Sequence, residues 1–368
     1  MPSAGKGSKL DLMTSPPLLA SPARVKRNGA ARLRPAAAPP APRPHTPNGA
    51  KAILPRLAVG DFLDIADLRR EDFFRLLDLA TTLKAGRARY RRLLEGRGLA
   101  MIFEKPSLRT RVTFDVAMQE LGGYAVFLDF TDSPLGERED IVDVARNLEL
   151  WLHGIVARTF EHASIQLLAD SAHIPVINGL SDLSHPCQAL ADFLTLRETF
   201  GDFRAGRRAL KLAYVGDGNN TLHSLMQAAA LAGIEMSVAT PAGYEPQPAI
   251  VQACQEVGRT TGARLELHNK VAPAVRRAAA IYTDTWASMG QEAEATQRAR
   301  DFADFQVNEA VMAKAAAGAR FMHCLPAHRG QEVTSGVIDS PQSLVYRQAE
   351  NRLHAQKAIL AALLGAGA

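Results

Sequence analysis

A chain of 368 residues, 47% hydrophobic and 22% charged, suits a soluble α/β protein of one large or two medium domains with a sizeable core. Its pI near 9.2 does not describe the folded part: nine Lys and Arg between Lys6 and Lys51 meet one acid, Asp11, so this stretch holds +8 of the formal +5 and leaves the remainder at −3. That balance excludes a basic-groove nucleic-acid protein, the unpaired spacing of Cys187, Cys254 and Cys324 excludes a disulfide framework or structural zinc site and fits a reducing compartment, and no apolar run reaches the roughly 20 residues of a membrane span.

Residues 1–54 are rich in Ala, Pro and Arg and hold too few large apolar groups to offset the entropy of ordering, so they read as a disordered extension. Their Arg-rich, acid-poor make-up also resembles an organelle transit peptide, although the prolines spoil an amphipathic helix. From Asp67 the pattern turns helical, with Phe73, Leu76, Leu77, Ala80 and Leu83 at spacings of three and four. Residues 99–103, 124–128, 154–157 and 175–177 then read as strands, with helices after Arg111, Glu139, His162 and His185, the first closed by Gly122-Gly123. A second series of strands, at 210–215, 235–239, 265–267, 280–283 and 320–323, again has helices between. Such alternation predicts parallel sheets covered on both faces. Two series of similar length predict two α/β domains, 55–190 and 191–345, each a parallel sheet flanked by helices. The helix at 187–200 bridges them, and a last helix, 346–368, is expected to pack back on the first domain.

In an open parallel sheet ligands sit beyond the carboxyl ends of the strands, so the residues after each apolar run carry the chemistry. After 99–103 comes Glu104-Lys105-Pro106-Ser107-Leu108-Arg109-Thr110-Arg111, running into a helix: free N–H groups, two hydroxyls and three cations suit a phosphate. The same residues also describe an N-cap serine with surface cations. Arg158 ends the next strand, and His185-Pro186-Cys187-Gln188 opens a helix, where a histidine is equally at home as a structural hydrogen-bonder. Asn219 and Asn220 follow Gly216-Asp217-Gly218, a weak echo of a dinucleotide loop that lacks the third glycine. Asp284 follows 280–283 and precedes Trp286-Ala287-Ser288-Met289-Gly290, and His323-Cys324-Leu325-Pro326 ends the last strand. Glu350-Asn351-Arg352 leads the final helix, where an arginine by default faces water. Six polar clusters placed after strands or at helix starts are not independent accidents.

In this order, the segments 103–111, 185–188, 284–290 and 323–326 resemble the ornithine carbamoyltransferase family, from about residue 55 to the end of the chain. The resemblance implies that Ser107, Leu108, Arg109 and Thr110 hold the phosphate of carbamoyl phosphate, with Arg158, His185 and Gln188 at its carbamoyl end and Arg352 nearby. It implies that Asn220, Asp284, Ser288 and Met289 hold the ornithine backbone, with Cys324 and Leu325 beside its δ-amine. Catalytic roles fall to Arg109, His185 and Cys324. It further implies a homotrimer with active sites between subunits, no cofactor and no metal. Two positions depart from the family: Leu108 stands where Thr is usual, and Pro134 replaces a common Gln ahead of Leu135-Gly136, a contact that the family makes to carbamoyl phosphate across the subunit interface.

The chemistry asks for a neutral amine, a stabilised oxyanion and a leaving phosphate, and needs no covalent intermediate, so Cys324 reads as a positioning group rather than a nucleophile. Rival acceptors are aspartate, putrescine and N-acetylornithine; a catalytically silent regulatory subunit and a dinucleotide oxidoreductase are the rivals of other classes. Asp284 as acceptor for a free α-ammonium argues against aspartate and N-acetylornithine, and the loop at 288–290 against putrescine, which has no α-carboxylate.

Overall fold

The computed structural model describes residue 54 and residues 57–204, 210–287 and 292–365; the extension expected over 1–54 therefore lies, apart from Leu54, outside the described residues. The first half runs α1 (Arg70–Ala85), β1 (Gly98–Phe103), α2 (Leu108–Leu121), β2 (Tyr124–Asp129), α3 (Ile141–Trp151), β3 (Gly154–Arg158), α4 (His162–Ser171), β4 (Val176–Leu180) and α5 (Pro186–Phe200). The second runs β5 (Lys211–Val215), α6 (Asn220–Ala232), β6 (Glu235–Ala239), α7 (Pro248–Thr261), β7 (Arg264–His268), α8 (Val271–Val275), β8 (Ala280–Thr283), α9 (Ala295–Asp301), α10 (Glu309–Met312), β9 (Arg320–His323), α11 (Ser335–Ile338) and α12 (Val345–Leu364).

The strands form two wholly parallel sheets, ordered β2-β1-β3-β4 and β7-β6-β5-β8-β9. Their composition follows their place. Central strands covered by helices on both faces are apolar apart from polar residues at their ends, and every residue of β1, β3, β5 and β8 is buried. The edge strands β2 and β7 are mostly exposed or half-buried and carry charge or aromatic groups instead. In each sheet the chain builds outward one way and then returns to the other side, so β1/β3 and β5/β8 are the two points at which strand order reverses. Ligand sites form at the carboxyl ends of strands at such points.

The helix starts are chemically specified. Ser107 caps α2, its Oγ accepting from Thr110 N–H at 3.3 Å, and Gly122 ends it at φ 92°, where a Cβ would sit 2.3 Å from the Arg91 carbonyl. The helix expected after Arg111 therefore starts at Leu108, and residues 108–111 are its first turn rather than a loop before it. Asn219 caps α6 through Leu222 N–H at 3.1 Å. Gly218 is small for packing: a Cβ there would meet the backbone of 244–246 at about 2.5 Å, which accounts for the Gly-x-Gly echo without any nucleotide.

Four helices, α1, α2, α5 and α12, pack together in the core, with α12 against each of the other three. Phe73, Phe193 and Phe203 meet edge-on at centroid distances of 5.6 and 6.0 Å where α1 meets α5.

Candidate active site

The carboxyl ends of both sheets face one cleft of ≈ 810 Å³ whose walls include Ser107, Arg109, Arg158, His185, Asp284 and Cys324, a size suited to small molecules. The β1/β3 side is cationic. Glu104, 5% exposed, is the exception in the segment after β1, and it is spent on structure: its carboxylate accepts from Leu135 N–H at 2.9 Å and Phe160 N–H at 2.7 Å, pinning two loops together. The Lys105 ammonium lies 4.3 Å from the Phe160 ring centroid. Arg109 projects from the first turn of α2, Arg158 from the end of β3, His185 from the residue before α5, and Arg352 from the body of α12.

These groups crowd one another without enough counter-charge. Arg352 is 2% exposed; its Nη1 donates to Gln188 Oε1 at 2.6 Å and its Nη2 to Thr110 Oγ1 at 3.0 Å. Its Nε, the Arg158 Nε and the His185 Nδ1 are buried with no hydrogen-bond partner among the described residues. Burial, then the charges of Arg352 and Arg109, brings Arg158 down to about 9, still charged at neutral pH. Burial first and the three arginines next hold His185 well below the usual imidazole range, so its ring is neutral. Arg109 and Arg352 are also pushed down by burial. A wall of desolvated guanidinium groups with unspent donors is a receptor for a small polyanion.

The β5/β8 side is anionic and already hydrogen-bonded to itself. Asp284, 7% exposed, accepts from Asn219 Nδ2 at 2.9 Å through one oxygen and from Thr285 N–H at 2.8 Å and the Cys324 thiol at 3.0 Å through the other. Burial, then Asp284 itself, pushes the Cys324 thiol well up, so it stays protonated and donates. Leu325 N–H donates to His323 Nδ1 at 2.9 Å, which leaves Nε2 as the protonated nitrogen, 3.2 Å from Glu332 Oε1. Arg298 braces the segment after β8 by pairing with Asp217 at 3.0 Å and donating to the Trp286 carbonyl at 2.9 Å. Burial raises Asp217 to about 6 against the pull of Arg298. Asp284, His323 and Cys324 bring potential metal-ligand atoms within 4.8 Å of one another, but each of those atoms or its neighbour is committed to the hydrogen bonds just given.

Residues 60–198 match the carbamoyl-P binding domain of aspartate/ornithine carbamoyltransferase, and residues 208–363 match the Asp/Orn binding domain. The chain belongs to the aspartate/ornithine carbamoyltransferase family. It is 51% identical to an ornithine carbamoyltransferase of Anoxybacillus flavithermus over 306 residues, 83% of this chain and 96% of the relative. A solved ornithine carbamoyltransferase of Pyrococcus furiosus superposes with a TM-score of 0.80 at 49% identity, covering 84% of this chain and 98% of that one. A mitochondrial ornithine carbamoyltransferase from Coccidioides immitis gives 0.76 at 37%, covering 83% and 97%.

Within this carbamoyltransferase fold, Ser107, Arg109, Thr110, Arg158, His185, Asn220, Asp284, Cys324, Leu325 and Arg352 all reach the cleft wall. Two of the residues singled out in the sequence stand differently from the expectation. Leu108 is 75% exposed, its side chain outside the cleft. Gln188, 1% exposed, lies behind the wall, bonded to Arg352 and Asp192. Arg352, which the resemblance puts near carbamoyl phosphate, is buried at the cleft wall although an arginine on a helix by default faces water, because α12 begins at Val345 and puts it two turns inside a packed helix. The amide of Asn220 is occupied by the Ser181 carbonyl at 2.5 Å and Thr221 N–H at 2.9 Å. Ser288 and Met289 lie outside the described residues. The composition of the cleft adds Lys105, Asn219 and His328 to its wall; Asn219 carried a signal in the sequence, as a capping amide at a strand's carboxyl end.

Proposed function

We propose that this chain transfers the carbamoyl group of carbamoyl phosphate to the δ-amine of L-ornithine, giving L-citrulline and phosphate. One observation carries the reading: unspent buried cations and a neutral imidazole face a buried, ready-made carboxylate–thiol pair across a single cleft. The first wall suits the phosphate and carbamoyl groups, the second an amino acid's α-ammonium and amine. The relatives named above support it by name, and one from Pyrococcus furiosus is named as the anabolic enzyme, which favours the arginine-forming direction.

Carbamoyl phosphate binds with its phosphate on Ser107, Thr110 and the first-turn N–H groups of α2, its charge met by Arg109, Arg158 and Arg352. Ornithine binds with its α-ammonium on Asp284 and its side chain along Cys324 and Leu325. The δ-nitrogen lone pair attacks the carbonyl carbon; the oxyanion that forms is stabilised by Arg109, Thr110 and the neutral His185, preorganised donation worth several kcal/mol. The C–O bond to phosphate then breaks, and the proton shed by nitrogen passes to the departing phosphate. A free δ-amine titrates near the lysine value of about 10.4, and the cationic wall favours its neutral form by repulsion. Fixing both reactants supplies a further share, roughly 7 to 11 kcal/mol in favourable cases. No step asks for a metal or cofactor.

Residues 55–190 act as the carbamoyl phosphate domain and 191–345 as the ornithine domain, with 346–368 returning Arg352 to the first. The working form is a cytoplasmic homotrimer: Leu108 and Val112 on α2 and Tyr124 and Val126 on edge strand β2 expose 75, 48, 48 and 38% of their surface, an apolar face suited to a subunit contact. No described helix is long and apolar enough to cross a membrane. A colourimetric assay run in parallel with ornithine, putrescine, aspartate and N-acetylornithine tests the reading: product forms with ornithine. Preference for another amine, or none with any, refutes it.

A further inference from the structure

Behind the cleft runs a buried polar chain whose middle members, Gln188, Asp192, Gln348 and Tyr282, the reaction above does not use. Asp192, on α5 and 0% exposed, stands at its centre. Its Oδ1 accepts from Gln188 Nε2 and from Gln348 Nε2, each at 2.8 Å, and its Oδ2 accepts from the Tyr282 hydroxyl at 3.0 Å. Two branches leave it. Toward the phosphate wall, Gln188 Oε1 accepts from Arg352, and Arg352 donates on to Thr110. Toward the amine wall, Gln348 Oε1 accepts from His323 N–H at 3.0 Å, the residue before Cys324, while Tyr282 lies two residues before Asp284.

Every side chain in this chain of contacts is 2% exposed or less. Water therefore cannot substitute for a lost partner, and a shift of one member is passed to the next, because leaving a buried donor or acceptor unpaired is costly. The glutamines are what make the connection directional: each spends its amide N–H on Asp192 and its carbonyl on one of the two walls. Pulling Arg352 toward an anion through its unpartnered Nε moves Gln188, then the carboxylate, and then the Gln348 amide that fixes the start of the His323-Cys324-Leu325 turn. Burial raises Asp192 to about 7, opposed by its hydrogen bonds from Gln348, Gln188 and Tyr282.

We propose that Asp192 is a positioning residue that couples the two half-sites, so that occupation of the phosphate wall sets the pose of the amine wall and the reverse. The proposal rests on the reading of the cleft as a carbamoyl phosphate and ornithine site. Coupling of this kind is a free energy shared by both ligands, so it is measurable from either side.

The test uses the full-length chain and two unreactive ligands: phosphonoacetamide, a carbamoyl phosphate with carbon in place of the bridging oxygen, and L-norvaline, ornithine without its δ-amine. Calorimetry gives the Kd of phosphonoacetamide with and without saturating norvaline. In the unmodified chain norvaline tightens phosphonoacetamide about tenfold, within the usual range of coupled sites. In Asp192→Asn the factor falls below about threefold while phosphonoacetamide alone binds within about threefold of the original. Gln348→Leu, which cuts only the branch to His323, gives the same loss and decides the matter if Asp192→Asn has no cooperative melting transition. Retention of the tenfold factor in either folded variant overturns the proposal, as does a factor of one in the unmodified chain that binds both ligands. Binding of neither ligand by the unmodified chain overturns instead the reading of the cleft.

Discussion

The two walls of the cleft are finished to different degrees. On the β5/β8 side Asp284, Asn219 and Cys324 satisfy one another, and Arg298 braces the segment that follows. On the β1/β3 side Arg158, His185 and Arg352 each keep a buried nitrogen unspent, and burial disfavours the charge of all three. A self-satisfied wall is preorganised and discriminates by fit; a wall of unspent cations is completed only by its ligand. The stability that ion pairing would have given the fold is thus reserved for binding, the usual cost of a site that must hold a dianion.

The contrast is broken most severely at Arg109. Its planar fork can bridge two oxygens, so Arg109→Lys keeps the charge and loses the geometry; turnover at saturating substrates falls roughly 100-fold, and the carbamoyl phosphate requirement rises, in initial-rate kinetics with both substrates varied. Near-normal turnover removes Arg109 from the catalytic groups and leaves the phosphate to Arg158 and Arg352.

A smaller effect sharpens the electrostatic half of the comparison. His185 is held neutral in the folded chain, well below the ordinary imidazole value of about 6.5 that it regains on unfolding. Above that pH both states are neutral and the residue contributes no slope. Below it the unfolded chain takes up a proton that the folded chain refuses, so stability falls on acidification, by about 1.4 kcal/mol per pH unit for this one group. His162, His223 and His354 are also lowered, chiefly by burial, and add slopes of the same sign. Denaturant unfolding from pH 7 to pH 5 should therefore show a shallower loss in His185→Gln than in the unmodified chain; equal slopes would show that the imidazole is protonated in place.

The smallest effect belongs to Leu108→Thr. The side chain points away from the cleft, so restoring the family hydroxyl changes turnover and the carbamoyl phosphate constant by less than about twofold, the first-turn N–H groups already serving the anion. A gain of tenfold would place position 108 in the site.

Much of this was legible because the fold writes itself in burial. Strands β5, β6, β8 and β9 are recognisable as apolar runs, since helices cover both faces of their sheet. Where burial and polarity part, legibility ends. The fourth strand was expected to stop at residue 177, yet it runs to Leu180 because Asn178, 0% exposed, finds its partners at the Leu63 carbonyl and Ser184 Oγ. Arg352 gave no local sign of its role: its partners are 164 and 242 residues away in sequence, and only the packing of α12 across the first sheet's helices brings them together. Asp192 and Gln348 share that blindness, as polar residues on helices that a sequence reading assigns to solvent.

Division of labour between the two walls is tested most directly by Asp284→Asn. The change keeps the volume and removes the charge that meets the α-ammonium, so kcat/KM for ornithine should fall by about 2 to 5 kcal/mol, while the constant for carbamoyl phosphate stays within about threefold of the original. Initial rates measured with both substrates varied read the two independently. A loss confined to ornithine is the predicted result, and equal weakening of both substrates would contradict it.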